Sequence, residues 1–341
     1  MGYGSQRDSL SNRLIKSPDI MPDSVKIPVP FTVIGGFLGA GKTTLLNHLL
    51  TQSSGIRFAV LVNDFGDLNI DESLISSHEG QTISLANGCV CCSISNDFNQ
   101  TMINLVKRIE EFDQVVVEAS GVSEPDRIMD IARLDPELSP SGIVVLVDAA
   151  EVQKRSTDRY ISNTVLKQLQ TAELLIVNKI DLVSREKLAE LEAWLEDVSP
   201  TAVRLNTTGG VVPVQMIFGE QIKGNRFSYK SDGETNRTED SNYSHHNHQF
   251  KSLALNSSKK LNRNTFEIWC DALPPSVIRG KGILYFGDEP GNSWVWQKVG
   301  GKSSIKKFSG NSSNSDLVLI GTPEMPSSQE LGLPDGFKIV T

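Results

Sequence analysis

Residues 31–44 read FTVIGGFLGAGKTT, and this stretch decides how the first half of the chain folds. An apolar run ends in a glycine-rich turn, and leucines then recur at helical spacing, at residues 45, 46, 49 and 50. This order predicts a strand, a phosphate-binding loop and a helix. The glycines allow successive backbone N–H groups to converge on a phosphate, and the helix N-terminus adds partial positive charge. A glycine-rich surface turn is the alternative, but the flanking strand and helix argue against it.

The loop supplies the first candidate nucleotide contacts. We expect Lys42 to reach the β- and γ-phosphates, and the Thr43 hydroxyl to bind Mg²⁺. The residues expected to surround the phosphates are Gly36, Gly39, Ala40, Gly41, Lys42, Thr43 and Thr44.

Composition limits the kind of protein. The chain has 341 residues, 38% of them hydrophobic, and a net charge of −8, which suits two folded domains and gives no electrostatic case for a nucleic-acid partner. No apolar stretch has the length of a membrane span. Residues 1–27 are polar and predict a disordered arm without a secretory signal, so we expect a cytoplasmic protein without a membrane partner.

Further apolar runs alternate with helical patterns and predict an α/β domain with a mostly parallel sheet over residues 28–219. The runs lie at residues 58–62, 83–85, 115–117, 143–147 and 174–177. Glu118 closes the third run. A carboxylate at this place in a phosphate-loop protein is expected to hold Mg²⁺, directly or through water, or to orient the attacking water. An ordinary strand-end acid is the alternative.

Two other loops follow predicted strands. Residues 63–71 contain Asp64, Asp67 and Asp71 and indicate a segment ordered by the γ-phosphate and Mg²⁺, or else a solvated acidic loop. Residues 178–181 read NKID. Asp181 can accept two hydrogen bonds from guanine, whereas adenine lacks both donors. We expect Asn178 and Lys179 to brace this loop, with the lysine stem packed on the base.

Three of the four cysteines, Cys89, Cys91 and Cys92, form a C-x-C-C cluster. Three thiolates are a soft ligand set that suits Zn²⁺ or Cu(I), and one stretch supplies only three of the four ligands usual in structural zinc sites. An open fourth position suits exchange or delivery. An exchangeable thiol pair and inert buried cysteines are the alternatives. The clustering is typical of a metal or redox site in a reducing compartment, not of a disulfide framework.

The rest of the chain predicts a linker and a second domain. Residues 220–260 are polar and contain a histidine tract at 245–248, which can bind metal weakly. Residues 261–341 predict a small α+β domain. Within it, residues 265–269 alternate like a strand, residues 273–279 look like a helix start, and residues 282–286, 294–296 and 317–320 predict strands. Cys270 stands alone and is expected to be a small buried hydrophobe.

With these motifs assembled, the chain resembles the CobW family of metallochaperone GTPases. The matching stretches are GGFLGAGKTTLLNHLL, VNDFG, GCVCC, VVVEASG and NKID, and DALPPSVIRGKGILYF resembles the start of the family's C-terminal domain. The resemblance implies GTP hydrolysis coupled to insertion of a metal into client proteins. The GCVCC stretch looks most like the zinc-transferring members. The family usually has Glu where Asp64 stands, and we expect Asp64 to be a metal contact.

The expected function is therefore that of a GTP-dependent zinc chaperone with GTP, Mg²⁺ and Zn²⁺ as ligands and a zinc-dependent client metalloprotein as partner. The sequence leaves open the client and whether the chain forms a homo-oligomer. One alternative is a cobalt or iron chaperone of the same family, for the cobalamin pathway or nitrile hydratase activation. Another is a regulatory GTPase that senses zinc without transferring it. An ATP-dependent small-molecule kinase is disfavoured by the NKID stretch.

Overall fold

The computed structural model describes residues 27–53, 55–62, 82–84, 96–219, 222–223, 226–227, 250–289, 292–308 and 313–340. Several predictions lie outside these residues. They concern the arm up to residue 26, the acidic loop with Asp64, Asp67 and Asp71, the cluster Cys89, Cys91 and Cys92, and the histidine tract at 245–248.

The first part of the chain alternates strands and helices. Its strands are β1 Val29–Gly36, β2 Phe58–Val62, β3 Thr82–Ser84, β4 Gln114–Glu118, β5 Leu138–Asp148, β6 Leu174–Asn178 and β7 Val203–Asn206. Its helices are α1 Lys42–Gln52, α2 Asn96–Val106, α3 Pro125–Leu134, α4 Val152–Ser156, α5 Ser162–Thr171, α6 Arg185–Val198 and α7 Val214–Phe218. Two short strands, β8 Ile222–Lys223 and β9 Arg226–Phe227, pair as a hairpin inside the predicted linker.

The seven strands β1 to β7 form one sheet in the order β3-β2-β4-β1-β5-β6-β7, and each neighbouring pair is parallel. This confirms the α/β prediction. Parallel strands end at the same edge, so the loops that follow β1, β4, β5 and β6 meet there. The predicted phosphate loop, Glu118 and the NKID stretch all lie at this edge.

The strands read as continuous apolar runs because both faces of the sheet are buried. On one face, Phe31 and Val33 pack with Met129 in one core cluster. On the other, Ile34 packs with Leu45 and Leu49 of α1 in a second cluster. The leucines after the phosphate loop thus lie on one side of α1 and bury that side against the sheet. This packing fixes the orientation of the helix relative to the sheet.

In its described residues, the second part forms a six-stranded antiparallel sheet packed with one helix, which confirms the small α+β domain. Its elements are β10 Lys251–Ser257, α8 Arg263–Ala272, β11 Val277–Leu284, β12 Ser293–Val299, β13 Lys302–Phe308, β14 Ser315–Gly321 and β15 Lys338–Ile339. The strand order is β13-β12-β11-β14-β10-β15. The sheet begins at Lys251, before the boundary at residue 261 that the sequence predicts.

Two local predictions in this domain are wrong. Residues 265–269 lie in α8, where Phe266, Trp269 and Cys270 are buried at helical spacing while Ile268 is exposed. The Asn262 side chain caps this helix by accepting from the Thr265 N–H at 2.9 Å. Residues 273–276 form a turn instead of a helix start, and β11 begins directly afterwards at Val277. Cys270 is buried as predicted, and burial raises the pKa of its thiol to about 12.

The antiparallel sheet packs against the amino end of the parallel sheet, opposite the edge that carries the nucleotide motifs. Gln297 of β12 donates to the Ser139 hydroxyl at 2.7 Å, and Arg279 of β11 donates to the Ser141 carbonyl at 2.9 Å. Both serines lie near the start of β5. Burial lowers the pKa of Arg279 to about 9. The two sheets are thereby joined through β5.

Among the residues that the structure describes, none of the helices combines the length and the apolar composition that crossing a membrane requires.

The C-terminal core offers a steric prediction. A Cβ at Gly280 would lie 2.2 Å from Cη2 of Trp296, whose ring is fully buried against Phe266 and held by a 2.8 Å hydrogen bond to Ser303. Because the indole has no room to move, Gly280→Ala should destabilise the protein by about 1–3 kcal/mol and lower its thermal midpoint. Gly301→Ala is the control, since its Cβ would meet nothing closer than 3.4 Å. Equal midpoints for the two variants would contradict this packing.

Candidate nucleotide-binding site

The phosphate loop adopts a backbone conformation that requires glycine at two positions. Gly36 and Gly41 have φ values of 132° and 106°, in the region that side chains disfavour. A Cβ at Gly36 would lie 2.6 Å from the Leu146 carbonyl oxygen, and one at Gly41 would lie 2.6 Å from Asn178 Nδ2. Gly41 precedes the first residue of α1, so the N-terminus of this helix opens directly onto the loop. These are the features of an anion site at a helix N-terminus.

Asn178 ties the phosphate loop to two other loops. Its side chain is 2% exposed. Nδ2 donates to the Ala40 carbonyl at 2.9 Å, and Oδ1 accepts from the Gly210 N–H at 3.0 Å. Both ends of the amide are therefore satisfied inside the protein, which makes this contact rigid. The first residue of the NKID stretch thus lies against the phosphate loop.

Lys179 makes a second connection to the phosphate loop. Its Nζ donates to the Gly39 carbonyl at 2.8 Å and pairs with Asp148 Oδ2 at 2.7 Å. Within the described residues, Lys179 is the one non-glycine with positive φ, at 62°. A left-handed lysine costs free energy, on the order of 1–2 kcal/mol, and such strain is concentrated at functional positions. Asn178 and Lys179 thus both hold the phosphate loop, and their role toward a bound base stays a prediction.

Asp148 is a site residue that the sequence analysis missed. It closes β5, is 7% exposed, and its Oδ1 accepts from the Ala150 N–H at 3.0 Å while Oδ2 holds Lys179. A carboxylate at the end of an apolar strand was the signal that singled out Glu118, and the same signal at Asp148 would have found this residue.

The loop that follows β7 is also part of the site and carried no predicted role. The Thr207 N–H donates to the Val177 carbonyl at 2.8 Å, and the Ile180 N–H donates to the Thr207 carbonyl at 3.4 Å. Gly210 provides the N–H that Asn178 accepts and lies close to Leu45 of α1. The signal was present in the sequence, since the TTGG stretch at residues 207–210 follows a strand at the edge where the other motifs meet.

Asp181 lies one residue into the 3₁₀ turn Ile180–Leu182 that follows Lys179. Its carboxylate is exposed to solvent. An exposed carboxylate next to the braced loop is free to accept two hydrogen bonds from a base. Its selection of guanine stays a prediction.

Thr43 and Glu118 are brought together by α1 and β4. The Thr43 hydroxyl donates to Glu118 Oε1 at 3.0 Å, and Glu118 is 2% exposed. The register places Glu118 beside Ile34, just before the loop. Hydroxyl and carboxylate oxygens are hard ligands, so this donor set fits Mg²⁺. Lys42 stands beside Thr43 as the first residue of α1 and is half-buried.

Some of the predicted metal ligands lie within the described residues and others lie outside them. Within the described ranges, no group of three or more His, Cys, Asp or Glu side chains is placed to hold a metal ion. Cys89, Cys91, Cys92 and Asp64 lie outside those ranges. The predicted zinc cluster therefore stays a prediction.

Two protein-family models match the chain. Residues 30–205 match the CobW/HypB/UreG nucleotide-binding domain, and residues 250–331 match the C-terminal domain of the cobalamin synthesis protein CobW. The first match contains every described residue predicted to bind nucleotide. The second begins one residue before β10.

The chain is also similar to individual curated proteins. The zinc-regulated GTPase metalloprotein activator 1 of Dictyostelium discoideum is 27% identical over 334 residues, covering 82% of this chain and 68% of the relative. The zinc chaperone CobW of Pseudomonas aeruginosa is 31% identical over 232 residues, covering 58% of this chain and 62% of the relative. The chain thus spans about two thirds of the length of these curated relatives.

Among solved structures, Zn(II)-bound YjiA GTPase from Escherichia coli is 24% identical, with a TM-score of 0.44, over 89% of this chain and 97% of that one. The family models cover both folded parts, and the first of them alone covers more than half of the chain. This chain therefore belongs to the CobW/HypB/UreG family of P-loop GTPases and carries the CobW C-terminal domain after its nucleotide-binding domain.

Proposed function

We propose that this chain is a GTP-dependent zinc chaperone, which binds Zn²⁺ through Cys89, Cys91 and Cys92 and passes it to a client metalloprotein when GTP is hydrolysed. The observation that carries the nucleotide half of this proposal is the contact of Asn178 and Lys179 with the phosphate loop. It joins the part of the site that would read the base to the part that would hold the phosphates.

The nucleotide chemistry follows from the family and the site. In a member of this GTPase family, Lys42 would face the phosphates, and Thr43 with Glu118 would hold the Mg²⁺ that supplies charge neutralisation when bound. The buried Glu118 carboxylate accepts a hydrogen bond from Thr43, so the two expected ligands lie side by side. Asp181 would select guanine. Asp148 serves this function indirectly by holding Lys179.

The zinc half of the proposal rests on the cysteine cluster and on the relatives. Three thiolates in four residues suit Zn²⁺, and binding through thiolates is coupled to proton release. The relatives in Dictyostelium and Pseudomonas carry the names zinc-regulated GTPase metalloprotein activator and zinc chaperone. These names support zinc over the cobalt or iron alternative. Transfer to a client, as opposed to sensing, is part of the proposal.

Coupling between the two halves is argued from chain order. The cysteines lie in sequence between the acidic loop at residues 63–71 and β4, which ends at Glu118. Thr43 of the phosphate loop and Glu118 are in contact. A change at the γ-phosphate would therefore reach β4, the strand that follows the cysteines in sequence. Nucleotide state would then alter the zinc ligands, and hydrolysis would favour release to the client.

Base selection gives the first test of this function. Asp181→Asn removes the acceptor for the guanine amine, so GTP affinity should fall by a factor on the order of 10², while affinity for xanthosine triphosphate should rise. The rise is expected because the new amide can donate to the xanthine 2-oxo group. Dissociation constants for both nucleotides measure the effect. Asp197→Asn, on the exposed face of α6, is the charge-matched control. If Asp181→Asn retains full preference for GTP, another residue reads the base.

The zinc site is tested by replacing its predicted ligands. The triple variant Cys89→Ser, Cys91→Ser, Cys92→Ser should lose the one zinc per chain that we expect, as measured by chelator competition, and wild-type binding should weaken in acid because protons compete for thiolates. Both proteins should lack the histidine tract at residues 245–248 so that its weak binding does not contribute. Cys270→Ala should bind like the wild type, since that thiol is buried and neutral. Undiminished zinc affinity in the triple variant would exclude these ligands.

The functional claim itself is tested by linkage. Zinc affinity should differ about 10- to 100-fold between the chain loaded with a non-hydrolysable GTP analogue and the chain with GDP, and zinc should change the nucleotide affinities by the same factor. Chelator competition in three states, with analogue, GDP and no nucleotide, measures this. If the zinc affinities in the three states are equal, nucleotide-driven transfer is contradicted. Restoration of activity in an apo zinc enzyme by the loaded chain then separates delivery from sensing.

A further inference from the structure

Three consecutive carbonyl groups of the phosphate loop each accept a hydrogen bond from a different side chain. Asn178 donates to Ala40 at 2.9 Å and Lys179 donates to Gly39 at 2.8 Å. The third donor is Arg155, whose Nη1 lies 2.6 Å from the Leu38 carbonyl oxygen. The first two belong to the NKID stretch. Arg155 belongs to no motif identified in the sequence.

Arg155 holds two adjacent residues of the loop. Besides its bond to Leu38, its guanidinium lies over the Phe37 ring, 4.9 Å from the ring centre, a cation–π distance. Glu151 stands 3.9 Å from its Nε. The side chain is 24% exposed, so these contacts are partly shielded from solvent. Arg155 lies in α4, the short helix after β5, and the same connection begins with Asp148, which holds Lys179.

Because the peptide group is planar, the contact with the Leu38 carbonyl also orients the N–H of the next residue. In a trans peptide, the carbonyl of one residue and the N–H of the next point in opposite directions. A donor that fixes the Leu38 carbonyl on one side therefore fixes the Gly39 N–H on the other. Phosphate loops bind phosphate through such N–H groups. The Ala40 N–H, in contrast, donates to the Phe37 carbonyl at 3.1 Å and is thereby turned into the loop.

We propose that Arg155 is a positioning residue for nucleotide binding, which holds the phosphate loop with the Gly39 N–H turned toward the phosphates of the nucleotide. This inference rests on the proposed GTP binding and adds a residue to that site. The loop wraps phosphates that GTP and GDP share, so Arg155 acts on both nucleotides alike. It does not act on the choice of base, because its contacts are with Phe37 and Leu38 and not with the NKID stretch.

The direct test is Arg155→Met, which removes the charge and the donors but keeps an unbranched side chain. Affinities for GDP and a non-hydrolysable GTP analogue should both fall by about tenfold, the scale expected for one lost charge-assisted hydrogen bond. The preference for guanine over adenine should not change, and KM for GTP should rise more than kcat falls. Arg159→Met is the matched control, because Arg159 is exposed four residues along the same segment and lies over Tyr160. It should bind nucleotide like the wild type.

Two further variants separate positioning from a general loss of structure. Arg155→Lys keeps a cation that can donate to Leu38 and lie over Phe37, so it should recover most of the affinity. Phe37→Leu removes the ring below the guanidinium and should weaken binding less in the Arg155→Met background than in the wild type. Equal affinities for Arg155→Met and Arg159→Met, or no recovery with lysine, would overturn the assignment. If the wild-type chain fails to bind GTP at all, the proposed function falls together with it.

Discussion

The nucleotide site depends on one buried amide. Asn178 donates to the phosphate loop through one end of its side chain and accepts from the loop after β7 through the other. A buried amide with both ends satisfied cannot shift without leaving a polar group unpaired. Three loops that are far apart in sequence are therefore held in one arrangement. The strained backbone at Lys179 and the ion pair with Asp148 are built onto that arrangement, and the glycine at position 41 leaves the space that the Asn178 side chain requires.

The first sheet could be predicted from the sequence because its strands are buried on both faces. Such strands read as unbroken apolar runs, and β4, β5 and β6 lie where those runs occur. The second domain was harder. Residues 265–269 are too few to distinguish alternation from helical spacing, and only the exposure of Ile268 beside buried Trp269 resolves the two. The two prolines at residues 274 and 275 suit a helix start as well as the turn that the chain forms there.

Candidate site residues could be proposed from the sequence where a short motif contains the whole chemical argument, as in the phosphate loop, the NKID stretch and Glu118. They were missed where a residue matters only through another loop. Asp148 and Gly210 carried local signals that went unused, whereas Arg155 has ordinary sequence surroundings, and its role arises from contacts across the carboxyl edge of the sheet. No local pattern encodes those contacts, because they depend on the order of strands in the sheet.

The interface between the two sheets limits how the protein can move. Ile278, Val318 and Ile320 of the antiparallel sheet lie in one core cluster with Met216 and Phe218 of α7. The leucines of α1 belong to the same cluster. Swinging the second domain away would expose this shared apolar surface to water, at a cost that grows with the area uncovered. The shared core therefore opposes a hinge motion of the C-terminal domain away from the nucleotide-binding domain. In the proposed function, a client would therefore meet the two sheets as one packed unit, and movement would fall to the loops at the carboxyl edge of the parallel sheet.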